Sequence, residues 1–287
     1  MERVSTQPLV ACKWGQYAPF YNNLKMGGKY HLVGCNALAI AQIMYYWGVQ
    51  RGFHRGCKAT PKYTTATKGL AIDALPPITC FDYASMVPGK PTTAKGKSAV
   101  AVMCAYIAKA IRSDFGTSET SAQRTRLETV MQSTLRLGAC KHIYKSTTAD
   151  FEEQVYNDIA AGRPVILTAT SSGGHTFLVD GYDAETKKYH INWGWSGQYD
   201  GYFSLNALKV NGKNYNGSLM AIVNIEPQYK LGDANGDGVV NISDVVTVVN
   251  DVNKGVSAKA TDINSDGKTT IEDAEIIVDH LIKGDVL

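Results

Sequence analysis

The sequence predicts an α+β domain followed by a small α-helical module, and three observations carry that reading. Long, nearly continuous apolar runs occupy the first half of the chain. Short β-prone runs, separated by Gly, Asp and Asn, follow between residues 163 and 225. Beyond residue 230 there is no Cys, Trp, Tyr, Phe or Pro, and Asp, Asn, Gly and Val dominate. Helices first and antiparallel strands after them point to α+β rather than to a doubly wound βαβ fold. The change in composition near Glu226-Pro227-Gln228-Tyr229-Lys230 marks a boundary, dividing the chain into residues 1–228 and 229–287.

Taken in order, Cys35 to Trp47 (CNALAIAQIMYYW) reads as a buried helix, with Gly34 before it and Gly48 as its stop. Ala99 to Ile111 reads as a second buried helix. Phe151 to Ala161, ending at Gly162, reads as a third and more amphipathic one. The predicted strands are Arg163–Ala169, Thr176–Tyr182, Tyr189–Trp193, Gly201–Leu205 and Leu219–Ile225. In the C-terminal part, Val245–Val252 and Ala274–Ile282 are helical runs that end at Lys254-Gly255 and Lys283-Gly284.

Bulk properties exclude several function classes. With 29 Lys+Arg against 26 Asp+Glu the formal net charge is +3, too small and too scattered for a nucleic-acid partner. No apolar run approaches the roughly 18 residues that cross a bilayer, so no transmembrane segment is expected. The N-terminus lacks the apolar core of a signal peptide. The six cysteines, Cys12, Cys35, Cys57, Cys80, Cys104 and Cys140, contain no CxxC pair, which speaks against a zinc site. If one is a free nucleophile, five remain and cannot all pair internally.

Cys35 stands at the predicted start of the buried helix. A thiolate there faces the positive end of the helix dipole, which lowers its pKa; the competing reading is a small buried apolar residue. Of six histidines, His31, His54, His142 and His280 sit in ordinary surface or structural contexts, and His190 alternates within a strand. His175 opens a strand directly after Gly173-Gly174, where glycines leave backbone room for a substrate. Asn192 ends the next strand and has the chemistry to hold the imidazole in place. Trp193 and Trp195 follow around Gly194, either as a shield for that hydrogen bond or as core packing.

These residues resemble a known family. Val33-Gly34-Cys35 through Ala41-Gln42-Ile43-Met44, Gly173 through Gly181, His190 through Gly197, and Asp200 through Leu208 are similar, in order, to the streptopain family of papain-like cysteine peptidases, which includes the interpains. The resemblance spans about residues 9–226. It implies a secreted endopeptidase with Cys35 as nucleophile and His175 as general base and acid. It further implies that Gln16, in the segment from Trp14 to Asn22, donates to the oxyanion, where loss of one such donor typically costs roughly 10²–10³ in turnover. Asn192 and Trp193 share the orienting of His175; Trp195, Gly173 and Gly174 wall the substrate pocket. The family is made as a zymogen, and the chain is expected to begin near its mature form, without leader or prosegment. Substrate preference is expected partly in residues 51–98 and partly in the glycine loop before His175. No cofactor is expected for catalysis.

In the C-terminal part, Asp233-Ala234-Asn235-Gly236-Asp237-Gly238 through Asp244 fits a calcium loop, with oxygen ligands at Asp233, Asn235, Asp237, Asn241 and Asp244 and the backbone carbonyl of Val239. A second copy offers Asp262, Asn264, Asp266, the carbonyl of Lys268, Thr270 and Asp273. Each twelve-residue loop ends in Asp, not the Glu of a helix-loop-helix sensor, and is followed by one helix only. That pattern resembles a dockerin domain and implies two calcium ions and a cohesin-like or surface partner. Carboxylates crowded into a loop repel one another without a cation, so folding of this module is expected to depend on calcium. Two other functions stay open at this point: a papain-fold amidase or peptidoglycan hydrolase, since Cys–His chemistry does not fix the amide attacked, and an inactive calcium-dependent binding protein.

Overall fold

A computed structural model of the chain describes residues 2–54, 56–170, 173–228, 231–236, 239–258, 260–284 and 287. Asp237 and Gly238 of the first calcium loop, Tyr229 and Lys230 at the predicted boundary, and Ser171 and Ser172 lie outside the described residues.

Six helices and twelve strands are described: β1 (Lys25–Met26), β2 (Lys29–Tyr30), α1 (Cys35–Tyr45), β3 (Tyr63–Thr64), β4 (Ala71–Ile72), α2 (Ala94–Ala110), α3 (Thr125–Ser133), β5 (Lys141–Tyr144), α4 (Phe151–Ala160), β6 (Val165–Thr170), β7 (Gly174–Asp183), β8 (Lys188–Asn192), β9 (Gly201–Phe203), β10 (Lys209–Val210), β11 (Lys213–Asn214), β12 (Met220–Val223), α5 (Ile242–Lys254) and α6 (Ile271–Lys283). The main sheet runs β5-β12-β6-β7-β8-β9 and its pairings are all antiparallel. The α+β prediction holds.

Helix α1 is buried all round, from Asn36 to Tyr45. It packs between α2 and β7. That explains why its sequence shows apolarity without a polar stripe. Its end departs from expectation. Gly48 does not stop it; a π-helical turn spans Tyr46–Gln50, and the Cβ that a larger residue would carry at Gly48 would collide with the Tyr83 ring. Gly48 is there for close packing. Helix α2 starts at Ala94, earlier than expected, because Thr93 caps it by accepting from the Gly96 N–H. Strand β5 and helix α3 were not foreseen. β5 is a four-residue edge strand, and α3 carries polar residues that mask its apolar stripe, Leu127, Val130 and Met131.

In the C-terminal part both expected helical runs form, as α5 and α6, and these pack together over Val248, Ile263, Ala274 and Ile277. Gly255 and Gly284 close the two helices in the left-handed conformation, at φ 65 and 70. Asn241 and Thr270 begin them with capping boxes whose acidic partners are Asp244 and Asp273. This part rests on the first one. Arg136 donates from Nη1 to the Gly236 carbonyl at 2.9 Å, and Ala260 packs against the larger core.

Candidate active site

Cys35 is the first residue of α1, and local sequence explains why the helix starts there. Gly34 precedes it at φ 87, a conformation favoured by glycine, and a Cβ at Gly34 would lie 2.9–3.2 Å from Thr120. No side chain caps the helix, and no acidic residue sits in its first turn. The free N–H groups and the positive end of the dipole are therefore left to whatever occupies the cleft.

His175 enters from the facing sheet. β6 and β7 form a hairpin in register Ala169↔His175 and Thr168↔Thr176, which fixes the imidazole at the open end of β7. His175 is 7% exposed. Its Nε2 lies 2.8 Å from the Trp193 carbonyl. A carbonyl only accepts, so Nε2 carries the proton and Nδ1 keeps its lone pair for the cleft. Trp195 stacks over the ring at a centroid distance of 4.8 Å, with Trp193 and Tyr215 beside it at 6.2 and 5.8 Å.

Cys35, His175, Gln16, Gly173, Gly174 and Trp195 all line one cleft of about 500 Å³. Six of the residues singled out from sequence thus meet in space. Asn192 and Trp193 stand behind them, and here the expectation is corrected. The Asn192 side chain does not reach the imidazole. Its amide N–H groups are drawn inward to the Cys12 carbonyl at 2.9 Å and Gln42 Oε1 at 3.2 Å, and its Oδ1 accepts from the Gly194 N–H at 3.0 Å. The Trp193–Gly194 peptide is thereby held at both sides: its N–H donates to Asn192 and its C=O accepts from His175. Since the peptide is planar, Asn192 acts on the imidazole through that plane.

Sequence reasoning missed a second set of contacts. Thr176 Oγ1 donates to Asn36 Oδ1 at 2.7 Å, which obliges Thr168 Oγ1, 2.9 Å away, to donate to Thr176. All three side chains are buried. Asn36 follows the cysteine and Thr176 follows the histidine, so this network ties the two chemical groups together across helix and strand. Only the pairing of β7 against α1 reveals it. The cleft is also bordered by Ser118, Glu119 and Thr120 and by Lys213 and Tyr215. Among the described residues, none of 51–98, expected to shape substrate preference, lines either cavity beside Cys35.

Burial pushes the Cys35 thiol up, opposed by hydrogen bonds from the Thr176 backbone and side chain and from the Asn36 backbone. Burial lowers His175 to about 4, opposed by the Trp193 carbonyl. Each group alone is therefore held neutral. None of the six cysteines is joined in a disulfide. Burial lifts the Cys57 and Cys140 thiols to about 12, which leaves them inert, whereas Cys80 is exposed.

In the second acidic loop, Asp273 Oδ1 accepts from the Ile263 and Asn264 N–H groups and its Oδ2 from that of Thr270. Asp262 accepts from the Asp266 and Gly267 N–H groups, Asn264 from Asp266, and Asp266 from Lys268. In the first loop, Asp244 accepts from the Asn235 and Asn241 N–H groups. Among the described residues no three His, Cys, Asp or Glu side chains are drawn into a ready-made metal cluster. The donor set is nonetheless all hard oxygen, which fits calcium and does not fit zinc.

A helix that starts on a cysteine, facing a histidine on an antiparallel sheet, is the arrangement of the papain-like cysteine peptidase fold. The chain belongs to the Peptidase C10 family, which matches residues 14–203, and a dockerin type I domain matches residues 231–282. Streptopain of Streptococcus pyogenes serotype M28 is 27% identical over 220 residues, covering 70% of this chain. The chain spans about half, 54%, of the length of that relative. Thiol protease/hemagglutinin PrtT of Porphyromonas gingivalis is 38% identical over 60 residues, 21% of this chain and 7% of PrtT. Among solved structures, active wild-type interpain A cysteine protease of Prevotella intermedia superposes with a TM-score of 0.70 at 22% identity, covering 78% of this chain and 97% of interpain A. The fold is shared with that protease. Among the described residues no helix is long and apolar enough to cross a membrane.

Proposed function

We propose that the chain is a secreted cysteine endopeptidase, residues 1–228, joined to a calcium-binding dockerin module, residues 229–287. The observation that carries the reading is the meeting of Cys35 and His175 in one cleft, with His175 Nε2 tied to the Trp193 carbonyl so that Nδ1 is left as a base. His175 takes the thiol proton, and the resulting thiolate and imidazolium neutralise each other where neither ion alone is stable. The Cys35 sulfur attacks the scissile carbonyl carbon. The oxyanion accepts from the Cys35 N–H and the Gln16 side-chain amide. His175 returns its proton to the departing amine, the C–N bond breaks, and a thioester remains. Water, deprotonated by His175, then attacks the thioester and releases the acid and the thiol.

Asp233, Asn235, Asp237, the Val239 carbonyl, Asn241 and Asp244 would hold one calcium ion. Asp262, Asn264, Asp266, the Lys268 carbonyl, Thr270 and Asp273 would hold a second. The ions would supply the positive charge that lets each acidic loop close. A cohesin-like protein or surface component is the partner that such a module would take.

Casein or peptide hydrolysis under reducing conditions, comparing the wild type with Cys35→Ala, tests the peptidase. Hydrolysis lost in the variant supports it; hydrolysis that persists assigns the activity elsewhere. Active-site labelling needs a Cys80→Ser background, since Cys80 is exposed and Cys35 half-buried.

A further inference from the structure

Two cavities open from the Cys35–His175 pair. One, about 500 Å³, reaches Trp195 and Lys213; the other, about 190 Å³, reaches Arg124, Thr168 and Thr170. Cys35, Glu119, Thr120, Gly174 and His175 border both. The chemistry gives the cleft a direction. His175 must hand its proton to the departing amine, so the leaving peptide lies beside the imidazole, on the side that Trp195 covers. Lys213 borders only the cavity on that side.

Lys213 is held there by its local structure. Strands β10 and β11 pair as a two-residue hairpin, Val210 opposite Lys213, whose turn residues Asn211 and Gly212 have φ 48 and 69. Two positive φ values make this a type I′ turn, the kind that matches strand twist and keeps a short hairpin in one shape. Tyr215, two residues beyond Lys213, is buried, with its ring 5.8 Å from His175 and 5.4 Å from Trp193. Alternation along an extended segment puts the Lys213 side chain on the same side as Tyr215, toward the imidazole. Among the described residues no carboxylate lies within salt-bridge distance of Lys213. The acid of the cleft, Glu119, borders both cavities and is not confined to the leaving-group side. The Lys213 charge is felt at His175, where it adds to the lowering of the imidazole.

We propose that Lys213 binds a carboxylate on the leaving side of the scissile bond, so that the enzyme favours Asp or Glu in the first residues after the cleavage point, or a chain end close behind it. This rests on the peptidase reading above. A lysine ammonium is a mobile point charge rather than a planar fork, which suits a carboxylate at any of two or three neighbouring positions. An exposed pair of this kind is worth about two- to fivefold in specificity and weakens with salt.

Internally quenched peptides provide the test. One set places Asp or Asn at the first, second or third residue after the scissile bond, with the C-terminus amidated. A second set has only neutral residues and ends two or three residues beyond the bond as a free acid or an amide. The expected result is kcat/KM about two- to fivefold higher for Asp than for Asn, or for the free acid than for the amide, at low ionic strength. The first outcome assigns the carboxylate to a side chain and the second to the chain end. Lys213→Ala should bring the ratio to one while still cleaving the Asn and amide peptides, and Lys213→Glu should invert it. Equal cleavage by the wild type within both pairs overturns the proposal alone. Failure of the wild type to cleave any peptide overturns the peptidase reading and this proposal with it.

Discussion

Replacement of Asn192 by alanine discriminates between a direct and a relayed orientation of His175. In the structure the Asn192 side chain makes three buried hydrogen bonds, two given to Cys12 O and Gln42 Oε1 and one accepted from the Gly194 N–H. Gln42 Oε1 keeps other donors, the Trp14 N–H at 3.4 Å and the Cys12 thiol at 3.7 Å. The Cys12 carbonyl and the Gly194 N–H lose the side chain that satisfied them. Two buried groups stripped of that partner cost about 2–3 kcal/mol, which lowers Tm by about 5–10 °C for a domain of this size. The catalytic cost is smaller. His175 still donates to the Trp193 carbonyl, a backbone group that no substitution at residue 192 removes. What is lost is the restraint on the Trp193–Gly194 peptide plane, about one hydrogen bond, or roughly five- to tenfold in kcat. The assay is kcat and KM on a fluorogenic peptide well below the variant's Tm, alongside thermal unfolding. The expected result is that modest fall in kcat, unchanged KM and a clear drop in Tm. A fall beyond about 10³-fold with Tm unaltered would show that the Asn192 side chain itself holds the imidazole, and would refute the relay.

The remaining predictions concern pH and calcium. With His175 lowered to about 4 from an ordinary 6.5, the imidazole stays neutral through mildly acid conditions, so the acid limb of kcat/KM should fall between pH 4 and 6.5; a limb above 6.5 would show that burial does not control the base. The same depression bears on stability: the unfolded chain takes up the proton first, so the contribution is whole above pH 6.5 and is lost as pH falls toward 4, about 3 kcal/mol in all. His175→Gln should flatten that part of the stability profile as measured by urea unfolding. Calcium should raise the unfolding temperature of the C-terminal module, read by hydrogen exchange over residues 242–283, and Asp273→Ala should abolish the effect in the second loop while peptide hydrolysis continues.

The sequence by itself determined the class of fold and the main helical and strand regions that bear the candidate site, and it singled out Cys35 and His175, which line one cleft. Cys35, His175 and the paired acidic loops are legible because their chemistry depends on local context: a helix start, a glycine pair before a strand, and oxygen side chains at fixed spacing with a glycine for the turn. Helix bounds were less legible where packing overrode local signals, as at Gly48, which is small to admit Tyr83 and not to end α1. Tertiary structure alone decided how these residues cooperate. The hold of the Trp193 carbonyl on His175, the anchoring of Asn192 on Cys12, the tie from Thr176 to Asn36 and the placing of Lys213 in the cleft with Cys35 all join residues from separate elements of the chain. Spacing along a sequence carries no record of such contacts, because they are made by one element packing against another, and a hydrogen bond exists only once both partners have been buried face to face.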